Sequence, residues 1–456
     1  GDVYKRQIEL MTIIPEISEI LKSSKHLSEL EEAIISLMRD EISASLSASL
    51  ESLDKELVQT HLSEGWEIDR LEERQLTFSF GMVSFKRRRI RKAGEKSFLP
   101  LDKALGLEQR QRFSPGIKEK ISELAAGMPF RKASETLELL TDIAMNHQTV
   151  HKITQGVAEK VSDSRLADVQ QLKKPKVLYI EADGVWIGSQ EKQKQLEFKR
   201  GFIHEGVMKK GKRGSLNNPV YFGTFGSSHD LFQTLSDYLS EHYDLRETLI
   251  IANSDGGSGY ESNRFEAILG CYRRYEYCLD SYHVMRQITG KLGFNKSLQA
   301  EVRQAVKAYD VERVSLLLDT EESHLEDEKQ LERLMSLRAY LERHWEAIQP
   351  LSQRHLTVSS GVGVCESGHR YYTNRMKRQG RNWLKQGAEN MTTLLTALRN
   401  KDFKERYRDS HPDMVFSPAI QVSLRKILKR SPSRIARASF CINKASRYDI
   451  HTYISI

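Results

Sequence analysis

Two aspartates stand where a bare carboxylate is expensive. Asp183 lies within YIEADGVWI, with apolar residues on both sides, and Asp255 ends the apolar run of IIANSDGGSGY. Each has a plain role open to it: Asp183 with Gly184 as a turn between two short strands, and Asp255 as a helix cap or turn residue ahead of the glycines. Taken together they suggest more. If the strands that carry them lie side by side, the two carboxylates meet although 72 residues (255 minus 183) separate them. Like charges a few ångström apart repel, and one takes up a proton unless a cation intervenes. Mg²⁺ accepts hard oxygen ligands and keeps several waters, so an open pair of aspartates with one further acid suits phosphate chemistry. Two such ions about 3.5–4 Å apart serve in-line displacement at phosphorus. Gly256, Gly257 and Gly259 would let a phosphate backbone come close. The GGSGY stretch lacks the G-x-G-x-x-G spacing and the P-loop lysine, which argues against a nucleotide-binding fold.

The elements that must position these acids follow from the patterning. Residues 1–65 alternate Leu, Ile and Met with Glu, Lys and Ser at helical spacing. Over 66–112 the period shortens to that of two or three strands, and the second runs into Lys86, Arg87, Arg88, Arg89, Arg91 and Lys92, the densest basic run in the chain. Residues 113–165 hold three helical segments, broken at Gly127 and Pro129, with Asn146 placed to cap the third. Three short helices so spaced either suit a helix-turn-helix unit, whose last helix offers His147, Gln148, Thr149, His151 and Lys152 to a groove, or pack as an ordinary triplet.

After the polar linker QQLKKPK, the span 172–294 opens with three strand-like runs, KVLYIEADGVWIG, QLEFKRGFIHEGV and PVYFGTFG, read as a meander. A helix, the strand TLIIANSD, a helical stretch, the strand YEYCLD and a helix from SYHVMRQIT follow. Three antiparallel strands followed by alternating helix and strand predict an α/β fold, a mixed sheet with helices on its faces. In that topology the first and fourth strands can be neighbours. Residues 295–358 are wholly helical, an insertion between two parts of one sheet domain, and 359–456 return to it.

At 456 residues the chain exceeds what one hydrophobic core usually supports. The 70 Lys and Arg against 62 Asp and Glu leave +8, which favours a polyanionic partner without establishing one. No apolar run approaches the roughly 20 residues of a membrane span. The four cysteines include no C-x-x-C pair, so a reducing cytoplasm is expected. The start GDVYKRQ, without an initiator Met or a signal-like pattern, and the end at ISI suggest incomplete termini.

In order along the chain, YIEADGVWI, the IHEGV strand, IANSDGGSGY, CLDSYHVMRQI and GVCESGHRYYTNRMKRQGRNWLKQGAENM resemble motifs of the ISLre family of bacterial insertion-sequence transposases, related to the Mutator-like group. The resemblance covers about 170–400 and, more loosely, the N-terminal region. It implies an RNase H-like mixed sheet with a helical insertion before the last catalytic acid, a mainly helical N-terminal DNA-binding region, and a DDE triad. Asp183 and Asp255 match its first two acids, and Glu366 in VCESGH, 111 residues on (366 minus 255), matches the third, with Glu389 of GAENM its rival. The stretch LDSYH resembles the C/D-x-x-H motif of Mutator-like transposases, filled by Asp280 and His283 just after Cys278, though a histidine there also serves as an ordinary helix-start residue. His369 lies one helical turn from Glu366 and can face the same way.

The implied activity is metal-dependent cleavage at the ends of a mobile element followed by strand transfer, with Asp183, Asp255 and Glu366 as ligands of Mg²⁺ or Mn²⁺, two ions in all. The implied partners are double-stranded DNA, both terminal inverted repeats and target, and further copies of the chain, a dimer or higher, at the bacterial nucleoid in the cytoplasm. Lys86, Arg87, Arg88, Arg89, Lys152, Arg375, Lys377 and Arg378 are the expected DNA contacts, Arg381 lying close by; a solvated charged face is the plain alternative for such runs. Trp383 either stacks on an unpaired base or, as its surroundings favour, packs in the core. Two other functions stay open: an RNase H-like nuclease without strand transfer, and a DNA-binding regulator whose acids are structural.

Overall fold

The computed structural model describes residues 2–163, 171–192, 194–210, 213–356, 358, 362–412 and 414, with side chains omitted for 2–12, 209, 210, 213, 364–367 and 379. The expected C-terminal region beyond 414 therefore lies outside the described residues. The chain divides into two compact units, residues 1–121, 131–147 and 411–456 in one, and 122–130 with 148–410 in the other. No helix among the described residues is long and apolar enough to cross a membrane.

The first unit begins with two helices, α1 (Asp2–Ser23) and α2 (Leu27–Leu62), then a hairpin of β1 (Glu67–Phe78) and β2 (Gly81–Arg91) and a short helix α3 (Pro100–Ala104). Phe78 pairs with Gly81 around a two-residue turn. Leu50, Leu53 and Leu57 of α2, at helical spacing, bury against Leu76, Val83 and Phe85 of the hairpin and Leu101 of α3.

The basic strand is not the free cationic surface expected from its sequence. Arg87 is buried and pairs with Asp102, which also receives Arg74 at 2.6 Å. Arg88 donates its backbone N–H and its guanidinium, the latter at 2.7 Å, to the fully buried Asp54. Arg89 bonds Glu72 at 2.7 Å. Burial and the neighbouring Arg74 charge hold the Arg87 guanidinium down to about 10. Of the four cations expected to meet DNA here, only Lys86 has an exposed side chain free of a described acid. Arg87 and Arg88 tie the hairpin to α3 and α2, and Arg89 ties β2 to β1.

The three helices expected over 113–165 form as α4 (Pro115–Gly127), α5 (Phe130–Thr141) and α6 (His147–Asp163), yet they are no domain of their own, because the boundary between the two units cuts through α4, α5 and α6. Val157, Ala158 and Val161 of α6 join the core of the second unit with Trp383, Met391 and Leu395. Lys152 and Gln148 on the same helix are exposed.

The second unit holds the mixed sheet. Its strands are β3 (Val177–Ser189), β4 (Gln195–His204), β7 (Val220–Thr224), β8 (Leu249–Ser254) and β9 (Arg274–Leu279) in the order β7-β4-β3-β8-β9; a small hairpin of β5 (Val207–Lys210) and β6 (Arg213–Leu216) stands apart. β4 runs antiparallel to both β3 and β7, while β3, β8 and β9 are mutually parallel. It is the mixed sheet with helices on its faces that the patterning predicts, and, the small hairpin aside, its first and fourth strands, β3 and β8, are neighbours. Side chains alternate across it. Leu178, Ile180 and Ala182 face a core closed by α7 (Ser228–His242) and α8 (Ser262–Glu266), through Leu231, Leu235 and Phe265. The opposite face carries Tyr179, Glu181, Asp183, Val185 and Ile187.

Helices α9 (Ser281–Lys291), α10 (Lys296–Ala308), α11 (Val311–Glu322) and α12 (Glu328–Ile348) follow β9, each opened by an Asx residue whose side chain accepts from the first turn: Asp280, Asn295, Asp310 and Asp327. The expected helical insertion thus forms around a core of its own, with Val302, Val306, Leu334 and Leu337 at its centre. The chain then returns through α13 (Val364–Met376), a two-residue strand β10 (Asn382–Trp383) that extends the sheet beside the end of β3, α14 (Lys385–Asn400) and α15 (Phe403–Asp409).

The Asp54–Arg88 pair supplies a test of the hairpin docking. Asp54→Ala leaves a partly buried guanidinium and an N–H unpaired and is expected to cost about 3 kcal/mol. Arg88→Met should cost less, because burial already raises the Asp54 carboxyl and eases its neutralisation. Chemical denaturation that finds the two equal would contradict this account of the strand.

Candidate active site

The site is set by strand register. Glu181 pairs with Asn253 of β8 in the last rung between the two parallel strands, so two residues further on Asp183, in the middle of the longer β3, and Asp255, just past the end of β8, are neighbours. Asp183 is 7% exposed; its Oδ1 accepts from the Gly184 N–H at 2.7 Å and its Oδ2 lies 2.6 Å from Nε2 of His369. Asp255 is half-buried just past β8, and its Oδ1 accepts from the Gly257 N–H at 2.9 Å. Burial pushes the Asp255 carboxyl above its ordinary value, and the charge of Asp183 adds to that rise against the Gly257 hydrogen bond. The register thus brings the two acids close enough for the charge of Asp183 to bear on Asp255.

The glycines after Asp255 include two that the turn itself requires. Gly256 and Gly259 have φ of +72° and +89°, which disfavour any side chain, and they abut Leu279 and Ser228 so closely that a Cβ would lie 2.6 and 2.5 Å from those residues. They turn the chain tightly around the Asp255 carboxylate. Asp280 is buried and caps α9, accepting from the Tyr282 N–H at 2.7 Å. His283, one residue on, brings Nδ1 within 4.0 Å of Asp255 Oδ2, a long electrostatic contact that lowers the cost of the Asp255 charge.

The Glu366 side chain lies outside the described residues, but its backbone is bracketed. Gly363, at the start of α13, has no side chain where a Cβ would come 3.4 Å from Asp280 Oδ2, and His369 in the same helix reaches Asp183. Glu366 lies between these two positions in the chain, its backbone about 4.5 Å of helix rise from that of His369. Glu389 instead faces Lys385 at 3.9 Å, one turn back on α14.

Of the cations expected beyond Glu366, Lys377 and Arg378 are exposed. Arg375 is not available. It is buried, donates to the Ala125 carbonyl at 2.8 Å, and lies between the rings of Phe130 and Trp383, each centred 5.0 Å away. Burial brings its guanidinium down to about 10. Trp383 is a core residue, its indole N–H bonded to the Met376 carbonyl at 2.8 Å.

Three neighbours of the acids escaped the sequence reading. Arg200, paired with Asp183 across β3 and β4, is 1% exposed and donates to Nδ1 of His369. Its position was signalled by period two, since it shares a face with Phe198 and Phe202. Tyr340 and His344, one turn apart on α12, bring the insertion to the site. The charges of Asp255 and Asp280, after burial itself, push the Tyr340 phenol up to about 12, and a side chain at Gly256 would lie 3.6 Å from the His344 ring. Nothing local in the insertion sequence marks them.

Among the described residues no group of three or more His, Cys, Asp or Glu side chains forms a metal cage. Asp183 and Asp255 supply two hard oxygen donors of like charge, a set that suits Mg²⁺ or Mn²⁺ rather than a thiophilic metal. A third donor would have to come from elsewhere, and the helix of Glu366 is the element in reach.

The model of an uncharacterised protein family, UPF0236, matches residues 20–407. The chain belongs to the UPF0236 family. A UPF0236 protein described as lying in the vanSb 3′ region of Streptococcus gallolyticus is 64% identical over 420 residues, 92% of this chain and 93% of the relative. Two UPF0236 proteins of Caldanaerobacter subterraneus subsp. tengcongensis are each 22% identical over 394 residues, 85% of this chain and 81% and 77% of theirs. The name of the first joins four locus designations and that of the second two. The UPF0236 match spans both acids, the insertion and the α13 helix.

Because the folded chain holds the Asp255 proton more tightly than the unfolded one, stability falls as pH rises from the ordinary value of 3.8 through the raised folded value, and the charged form costs stability at neutral pH. Asp255→Asn should therefore melt higher than wild type at neutral pH in EDTA. The gain should vanish below pH 3.8, where both forms of the wild-type group are protonated. A pH series of thermal melts in which the wild type is the more stable at neutral pH would contradict it.

Proposed function

We propose that this UPF0236 protein is a DNA transposase that cuts at the ends of a mobile element and joins them to target DNA. The observation that carries the reading is that Asp183, midway along β3, and Asp255, just past the end of the adjacent parallel β8, lie near one another and that His369, in the helix that bears Glu366, reaches Asp183. Asp183, Asp255 and Glu366 are the residues that would hold Mg²⁺ or Mn²⁺. Such ions, when bound, favour attack of an oxygen on phosphorus and neutralise the leaving oxygen.

The chain's own groups supply the rest. His369 fixes the plane of the Asp183 carboxylate, and the Gly257 N–H fixes that of Asp255. His283 stands beside Asp255 as a nearby group able to carry a proton. Lys377 and Arg378, exposed at the end of α13, are placed to meet backbone phosphates, and Lys86 and Lys152 are the remaining exposed candidates. Two ends must be held at once, which calls for at least a dimer. The name of a Caldanaerobacter relative joins four locus designations, which fits the repeated copies that transposition would leave behind.

A strand-transfer assay on duplexes that carry the element's ends tests the reading. With Mg²⁺ or Mn²⁺ the wild type should give joined products, and Asp183→Asn or Glu366→Gln should lose more than the roughly 10–100-fold typical of an outer-shell change. Cutting without joining would instead make the protein a nuclease, and binding without cutting a regulator. Lys377→Ala with Arg378→Ala should reduce the salt slope of DNA binding by about two, one for each phosphate contact; an unchanged slope would remove them from the interface.

A further inference from the structure

Arg200 is an unexpected residue for its place. It shares a strand face with Phe198 and Phe202, it is 1% exposed, and the Tyr372 ring is centred 4.7 Å from its guanidinium carbon. Burying a guanidinium is costly, and packing alone would be served by another apolar side chain. Its bond to His369 explains it. A guanidinium has donors and no acceptor, so Nδ1 of His369 must be the accepting nitrogen. The ring proton then sits on Nε2, which points at Asp183 Oδ2 from 2.6 Å. Gly368 keeps the path open: a Cβ there would lie 3.1 Å from the Arg200 guanidinium. With Oδ1 taken by the Gly184 N–H, both oxygens of Asp183 are oriented by the protein, and each keeps a lone pair for a further partner.

We propose that Arg200 is a positioning residue for the cation site: by occupying Nδ1 of His369 it imposes the Nε2–H tautomer, whose hydrogen bond holds the Asp183 carboxylate in the orientation that shares an ion with Asp255. The proposal rests on the metal-dependent reading above. The chain Arg200, His369, Asp183 runs from β4 through α13 to β3, so it also ties the helix of Glu366 to the strand of the first acid. Partners of this kind around ligating carboxylates typically change metal affinity 10–100-fold when removed.

Two measurements separate this proposal from the reading beneath it. In metal-free protein labelled with ¹⁵N-histidine, long-range proton–nitrogen spectra should show His369, assigned by its loss in His369→Gln, as the Nε2–H tautomer, and Arg200→Ala should populate Nδ1–H. Mn²⁺ binding at fixed pH, followed by electron paramagnetic resonance, should weaken 10–100-fold in Arg200→Ala and His369→Phe, less in Arg200→Lys, and only about threefold or less in His369→Gln, whose amide still donates. A wild-type Nδ1–H tautomer, or unchanged Mn²⁺ affinity in Arg200→Ala, overturns the positioning role. If Arg200→Ala does not fold, wild-type affinity in His369→Phe overturns it equally. Wild-type protein that binds no Mn²⁺, or binds it as well with Asp183→Asn, refutes the metal reading instead, and the nitrogen spectrum still decides what Arg200 does.

Discussion

Asp183 and Asp255 place two negative charges near each other where β8 ends beside the middle of β3, in surroundings that withdraw water from at least one of them. Left alone, this arrangement works against the fold, since burial and repulsion both favour the neutral acid. Most of what surrounds the pair limits that cost without abolishing it. Backbone N–H groups of Gly184 and Gly257 point at the carboxylates, His369 donates to one, and His283 stands near the other. No described cation makes a direct ion pair with either carboxylate other than through a histidine. That restraint leaves the pair's charge for a ligand, and it is the physical basis of the proposed cation site.

The sheet makes the meeting possible, and the helices around it determine what else arrives there. Parallel pairing of β3 with β8 aligns Glu181 with Asn253 and brings the two acids near one another. The insertion folds around its own core, so it can lie between β9 and α13 without disturbing the sheet, and it brings Tyr340 and His344 toward the acids. α13 returns across the face of β3 and delivers His369. An outward-facing end to that helix, with Lys377 and Arg378 exposed, gives the same element one side toward the acids and another toward solvent.

Much of this was legible in the sequence because it is local. Period two marked the strands, helical spacing marked the insertion, and the two aspartates were conspicuous as acids within or just after apolar runs. What depends on distant partners was not legible. The run from Lys86 to Lys92 reads as a cationic surface until Asp54, Glu72 and Asp102 are seen to take its arginines, and those acids come from other elements. Arg375 likewise follows a basic pattern in sequence, yet its guanidinium ends between Phe130 and Trp383. The glycines after Asp255 were recognised as special for their freedom, but the contacts that demand them, Leu279 and Ser228, are set by tertiary packing. Arg200 lay within reach of the sequence, since an arginine between two phenylalanines on one strand face asks for a buried partner; only the fold names that partner as His369.

Diffraction from crystals equilibrated with Mn²⁺, with data collected where manganese scatters anomalously, addresses the central claim most directly. The account predicts anomalous density within coordination distance of carboxylate oxygens from both Asp183 and Asp255, with Glu366 completing the set. Well-ordered carboxylates at saturating Mn²⁺ with no such density between them would contradict it.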